Sequence, residues 1–169
     1  MWPNRVPRVK DFSYRGLHRY FITLTTNFRA RSFANETYAR ALSTQIAPFF
    51  AARSFEVIAY CVMPDHLHLL LEGTSVEADL REAVRAWKQR TGYDWKARTG
   101  TQLWQPGFHD RVLREHDDTR SVVRYILKNP VRAGLVTAPR EYPWLGSLRY
   151  TLAELEEHAG GWAPEWKRR

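Results

Sequence analysis

The run from Phe55 to Glu72 constrains the fold of this chain more than any other stretch. Phe55 to Met63 is apolar and β-rich, Pro64-Asp65 has the chemistry of a tight turn, and His66 to Glu72 is a second β-rich segment. Two such runs across a two-residue break predict an antiparallel hairpin. Side chains alternate along a strand, so Leu67, Leu69 and Leu71 fall on one face while His66 and His68 share the other. The leucine face is expected to pack on helices and the histidine face to open onto a site. Two imidazoles at this spacing suit a metal ion, and they equally suit a half-buried, hydrogen-bonded pair.

The flanking segments extend this hairpin into a layered fold. Tyr20 to Thr26 alternates as a first strand, with Phe21, Thr23 and Thr25 on one side and Tyr20, Ile22 and Leu24 on the other. Asn35 is placed to cap a helix whose apolar face is Tyr38, Leu42, Ile46 and Phe49, with Pro48 expected to kink or end it. After the hairpin, Thr74 and Glu77 form a possible capping box for a second helix carrying Val76, Leu80, Val84 and Trp87, with Gly92 near its end. Leu103 to Leu113 reads as a fourth strand interrupted at Pro106-Gly107. The order β-α-β-β-α-β predicts an α+β fold, a ferredoxin-like sandwich with an antiparallel sheet, helices on one face and the other face free.

Past the fourth strand, Asp117-Asp118-Thr119 is suited to start a third helix with Val122, Val123 and Ile126 on its apolar side. Tyr125 and Asn129 are spaced to share one face of it. Because Pro130 disfavours helical dihedrals in the residue before it, Asn129 is expected at a frayed last turn, and 130–134 as a further short turn. Residues 137–169 read as a C-terminal tail with a weak helix around Leu148 to His158, leaving 1–136 as the main domain.

Charge narrows the partner. Across 169 residues, 26 Lys and Arg against 18 Asp and Glu leave a net charge of +8, which points to a polyanion such as nucleic acid. The first 31 residues hold seven basic residues and one acidic, so Arg5, Arg8, Lys10 and Arg15 are candidate DNA contacts, as are Arg81, Arg85 and Lys88 along the second helix. A solvated arm and an ordinary amphipathic helix face are the competing readings of these two groups. The single Cys61 excludes an internal disulfide. No secretory signal or membrane span is visible.

Taken together, the His pair within Met63-Pro64-Asp65-His66-Leu67-His68, the segment Trp104-Gln105-Pro106-Gly107-Phe108-His109-Asp110-Arg111, and Tyr125-Ile126-Leu127-Lys128-Asn129-Pro130-Val131-Arg132-Ala133-Gly134 resemble the REP-associated tyrosine transposases. These belong to the wider HUH class of single-strand DNA endonucleases. The resemblance runs from about Tyr20 to Val136. It implies the same ferredoxin-like fold, a divalent metal held by His66, His68 and Asn129, and Tyr125 as the nucleophile that joins the 5′ phosphate and releases a 3′ hydroxyl. Related insertion-sequence transposases carry glutamine four residues after the tyrosine, so Asn129 favours the REP-associated branch. The implied partner is single-stranded hairpin DNA of the REP type. A monomer or homodimer in the bacterial cytoplasm, associated with the nucleoid and using no small-molecule cofactor, is expected.

The chemistry of this set is coherent without the resemblance. Two neutral imidazoles and an amide oxygen add no negative charge, so an ion they hold keeps its pull on phosphate oxygens. Mg²⁺ is the abundant candidate, and two nitrogen ligands make Mn²⁺ the better chemical fit. Two other classes compete. A non-catalytic nucleic-acid-binding module of the RNA-recognition type would use the sheet face and its aromatics for stacking. A zinc hydrolase would want a Cys or carboxylate at ligand spacing from the His pair, and would leave Tyr125 without a role. His109, Asp110 and His116 suit structural or DNA-contact roles, and His18 and His158 carry no signal.

Overall fold

The computed structural model describes residues 12–113 and 119–160. Arg5, Arg8, Lys10, His116, Asp117 and Asp118 lie outside the described residues. A five-stranded antiparallel sheet carries the site. Its strands are β1 (Arg19–Thr25), β2 (Phe55–Met63), β3 (His66–Gly73), β4 (His109–Leu113) and β5 (Leu145–Gly146), in spatial order β4-β1-β3-β2-β5. The first four give the ferredoxin-like arrangement that the element order predicts, and β5 extends it beyond β2.

The expected hairpin forms where the sequence places it, with Cys61 opposite His68 and Met63 opposite His66. β1 then lies on the other side of β3, which sets Thr23 opposite His68 and Thr25 opposite His66. Tyr20, Ile22, Leu67, Leu69 and Leu71 are completely buried on one face. That face is covered by α1 (Glu36–Ala51) and α2 (Leu80–Thr99), where Trp87 packs edge-on to Phe49 and lies 5.5 Å from the Phe50 ring.

The second face is not free, contrary to expectation. Phe21, Cys61, Met63 and Leu70 are buried there too, and α3 (Thr119–Arg132) lies across them. The physical reason is that both faces of the central strands are apolar, so each needs a cover. The helix supplies Val122, Val123, Ile126 and Leu127, all buried.

Pro48, expected to kink or end its helix, and Pro130, expected to limit the third, both stand inside a helix, Pro48 within α1 and Pro130 within α3. An internal proline costs roughly 3 kcal/mol, whereas burying a Phe or Leu side chain returns roughly 1.5–3 kcal/mol. Phe49 and Phe50 after Pro48, and Ile126, Leu127 and Pro130 itself, are buried, so packing wins. α3 ends instead at Arg132, and Gly134 just beyond it, with a φ of +68°, lets its N–H reach Val131 O while Leu135 N–H reaches Pro130 O.

Three other boundaries differ. α2 starts later, capped by Asp79, whose carboxylate accepts from Glu82 N–H; Thr74 and Glu77 precede it and Val76 is exposed. Its C-terminus is Gly100 in the left-handed region, and Gly92 is an ordinary mid-helix residue facing Trp104. The fourth strand shortens to His109–Leu113, because Gly107 takes a positive φ and only Trp104 bridges back to Thr26. The tail joins the main core: Tyr142, Trp144, Leu145 and Leu155 are buried, and α4 (Leu152–His158) packs on α3. Among the described residues no helix is long and apolar enough to cross a membrane.

Candidate active site

The face of β3 that bears the histidines meets α3 at one point, and four of the candidate side chains converge there. His66 and His68 face each other with their Nε2 atoms 3.0 Å apart. Each ring is oriented through its other nitrogen. His66 Nδ1 lies 2.6 Å from Asp65 Oδ1, and His68 Nδ1 lies 2.9 Å from Thr23 Oγ1. The Asp65 carboxylate accepts the proton on His66 Nδ1, which leaves Nε2 with an open lone pair. Thr23 is a hydroxyl, so it serves either tautomer of His68.

Electrostatics keep both rings neutral. Burial holds His68 well below the ordinary imidazole pKa, the neighbouring His66 adds to this, and a hydrogen bond with Asn129 works the other way. Burial also lowers His66, with its bond and charge pairing to Asp65 opposing. Burial works to raise the Asp65 carboxyl, but His66 and then Arg29, 3.1 Å away, outweigh it and hold it below the usual carboxylate range.

Tyr125 arrives from α3. Its ring stands edge-on to His68 at 5.5 Å and to Phe21 at 5.7 Å between centroids, half-buried over the histidine pair. Asn129 follows one helical turn later, still helical and not frayed as expected, because α3 continues through Pro130. Its Nδ2 donates to Tyr125 O at 2.8 Å, and its side chain meets His68.

These donors fit an open metal site. Adjacent ligands on an octahedral ion with bonds of about 2.1 Å lie about 3.0 Å apart, which is the separation of the two Nε2 atoms. Neutral rings with fixed outer nitrogens are what a divalent ion requires. Among the described residues no group of three or more His, Cys, Asp and Glu side chains is placed to hold an ion, so a closed structural zinc site is not formed.

The described basic candidates lie elsewhere. Arg15 pairs with Asp79 at 3.0 Å, Arg81 lies 4.4 Å over the Tyr14 ring, and Arg85 pairs with Glu82. Lys88 donates to Gln105 O and Gly107 O, holding the turn before β4. All four belong to the α2 side, across the sheet from the histidines. The site face instead carries residues that sequence reasoning missed. Thr23 and Asp65 orient the imidazoles, and Arg132 lies 5.9 Å from the Tyr125 ring centre; His109, read from sequence as a structural or DNA-contact residue, stands opposite Thr23 on β4. Alternation already put Thr23 on one side of β1; its pairing with His68 is the information that only the register supplies. His18 packs beside Phe12 and Tyr20, and His158 stacks on Tyr150, both away from the site.

Comparison with known proteins decides the family. Residues 15–129 match the model of the IS200-like transposases. The chain belongs to that family. A Haemophilus influenzae protein assigned to the REP-associated tyrosine transposases is 26% identical over 171 residues, covering 94% of each chain. The REP-associated tyrosine transposase of Escherichia coli K12 is 29% identical over 132 residues, covering 75% of this chain and 78% of that protein. A solved REP-associated tyrosine transposase bound to a REP hairpin has the same fold, with a TM-score of 0.67 at 22% identity over 95% of this chain and 91% of its own. This chain is a tyrosine transposase, and enzymes of this class use a divalent metal.

Proposed function

We propose that this transposase cuts and rejoins single-stranded DNA through a covalent link to Tyr125, acting beside hairpins of the REP type. The observation that carries the reading is the position of the Tyr125 ring, edge-on at 5.5 Å to His68 above the paired Nε2 atoms. The solved neighbour's hairpin ligand and the +8 charge support the choice of substrate.

A phosphodiester repels nucleophiles by its charge, so the attacking oxygen must be held in place and the phosphate neutralised. His66, His68 and Asn129 would hold a divalent ion, Mg²⁺ or Mn²⁺, whose contribution when bound is to withdraw charge from the phosphate oxygens. Asp65 keeps His66 in the tautomer that frees Nε2, and Thr23 Oγ1 can accept the Nδ1 proton of His68 when that ring presents its own Nε2. α3 fixes the Tyr125 ring by packing on Phe21 and His68, which removes the rotational freedom of the nucleophile before DNA arrives.

Tyr125 Oη attacks phosphorus, one P–O bond forms and the bond to the 3′ oxygen breaks. The phenol loses a proton and the leaving oxygen gains one. Bonds and protons balance, so the 5′-phosphotyrosine conserves the ester energy and a 3′ hydroxyl can reverse the step. Binding without chemistry, as in an RNA-recognition-type module, is disfavoured because α3 covers the sheet face that such modules leave open.

The test uses labelled single-stranded DNA carrying a short imperfect hairpin, incubated with the protein and Mg²⁺ or Mn²⁺. A denaturation-resistant protein-DNA band is expected from the parent chain and none from Tyr125→Phe, which retains binding. The same DNA annealed to its complement should give no band, since a stiff duplex resists the sharp backbone bend that would bring one phosphate up to a half-buried tyrosine. Equal adduct from Tyr125→Phe would move the nucleophile elsewhere.

A further inference from the structure

The loop after β1 holds an aromatic ring out in solvent beside the histidine pair. Phe28 is 93% exposed, the most exposed of the large apolar side chains described. Isolated exposed apolar residues are common and mean little alone. Here the backbone is committed to the exposure. Phe28 and Arg29 both take left-handed conformations, with φ of 51° and 54°, which non-glycine residues rarely adopt.

The surroundings fix that conformation. The one Thr26 hydroxyl proton is shared between Ala30 O, 2.7 Å from Oγ1, and Asp65 O, 2.8 Å from it, while Thr26 N–H donates to Asp65 O and Asn27 N–H donates to Leu103 O. Arg29 reaches the Asp65 carboxylate at 3.1 Å. Asp65 in turn holds His66 Nδ1. The ring is thus mounted on the same residue that orients the first histidine, at the end of the sheet where Thr25 faces His66.

Charge identifies the occupant. Phe28 is followed by exposed Arg29 and Arg31 in Asn27-Phe28-Arg29-Ala30-Arg31. An exposed aromatic ring followed by two exposed guanidinium groups matches a nucleobase joined to phosphates, whereas an apolar protein surface would take both arginines out of water without offering them an anion. We infer that Phe28 is a stacking platform for an unpaired base next to the scissile phosphate, holding the strand in register with Tyr125. This rests on the single-strand cleavage reading and adds to it the group that positions the flanking nucleotide.

The test first maps the cleaved position with the adduct assay on the full chain, using the imperfect-hairpin oligonucleotide with unpaired flanks. Oligonucleotides carrying 2-aminopurine at one position at a time around that phosphate are then bound to the parent chain and to Phe28→Ala, Phe28→Leu, Phe28→Tyr and Phe28→Trp. Stacking should quench one flanking position in the parent, Tyr and Trp proteins and leave it bright with Ala and Leu. Binding should weaken about 5- to 100-fold with Ala and Leu. Thermal melting of each variant confirms folding, since the side chain makes few contacts to lose. Adduct from the parent with no position-specific quench, or with equal affinity for Phe28→Ala, would overturn the platform alone. No adduct from the parent would overturn the reading beneath it. Loss of a dimer in Phe28→Ala with DNA affinity intact would assign the ring to contact between copies of the chain, and so overturn the platform too.

Discussion

Replacing Thr23 with valine tests the orientation of the histidine pair through one atom. The substitution keeps the β-branched shape and removes only Oγ1, the partner 2.9 Å from His68 Nδ1. With an ion bound, both Nε2 lone pairs are used, so the His68 proton must sit on Nδ1 and point at Thr23. His68 is only 3% exposed, so water cannot replace the hydroxyl. A buried N–H without an acceptor costs about 1–3 kcal/mol. Without the ion, His68 can turn its proton onto Nε2 toward His66, and what it then loses is an acceptor contact of about 1 kcal/mol. Taken from the middle of that range, the difference is about 1 kcal/mol, which predicts Mn²⁺ affinity lowered roughly 5-fold, somewhat less than the roughly 10- to 100-fold that outer-shell partners of metal ligands contribute. Titration of Mn²⁺ followed by electron paramagnetic resonance reads this directly, with Thr23→Ser as the variant that restores the hydroxyl. Unchanged affinity in Thr23→Val would refute the idea that this hydroxyl accepts the His68 Nδ1 proton when the ion is bound, and failure of Thr23→Ser to recover would assign the loss to packing.

Other consequences can be checked separately. Alanine at His66 or His68 should abolish adduct formation at ordinary Mg²⁺ or Mn²⁺ levels, while Asn129→Ala should be milder because water can replace one amide oxygen; gel analysis of the three variants decides it. A chain ending at Val136 loses buried Tyr142, Trp144, Leu145 and Leu155. At roughly 1.5–3 kcal/mol each, that approaches the roughly 5–15 kcal/mol of a whole domain, so calorimetry should show no cooperative unfolding at the parent temperature. Acid should destabilise the metal-free fold. His66 and His68 have pKa values below the ordinary 6.5, so the unfolded chain binds more protons than the folded one as pH falls past 6.5. Stability present above that value is lost below it, and His68→Gln should shrink the drop in melting temperature between pH 7.5 and 5.5.

The parts of this molecule that were legible in its sequence are those set by local period. Alternation alone puts His66 with His68 and sets Phe21, Thr23 and Thr25 apart from Tyr20, Ile22 and Leu24, whatever the strands pair with. Helical spacing likewise puts Tyr125 and Asn129 on one face of α3. What period cannot supply is register. Nothing in the segments themselves sets Thr23 opposite His68 and not one pair further along, since several registers keep the same faces together. Asp65 was readable as a turn residue, yet its carboxylate acts as the anchor of His66, a role that depends on how the turn closes. Local propensity also misled where packing overruled it, at Pro130 and at the Thr74 cap that Asp79 displaced.

The covering of the second sheet face connects these errors to the function. Leu70, Cys61 and Met63 alternate with residues that are equally apolar, so the hairpin carries a two-sided hydrophobic signature from the start. That signature demands a helix over the histidines, and α3 is the segment that follows the last strand of the ferredoxin-like set. A helix broken at Asn129 would leave Pro130 and the turn to Gly134 off the sheet and would free the last turn to move. Running on through Pro130, α3 keeps Asn129 against His68 and extends to Arg132 beside Tyr125. The helix that supplies the nucleophile is therefore the lid of a hydrophobic core, and the core's packing energy is what fixes the distance between Tyr125 and the two imidazoles.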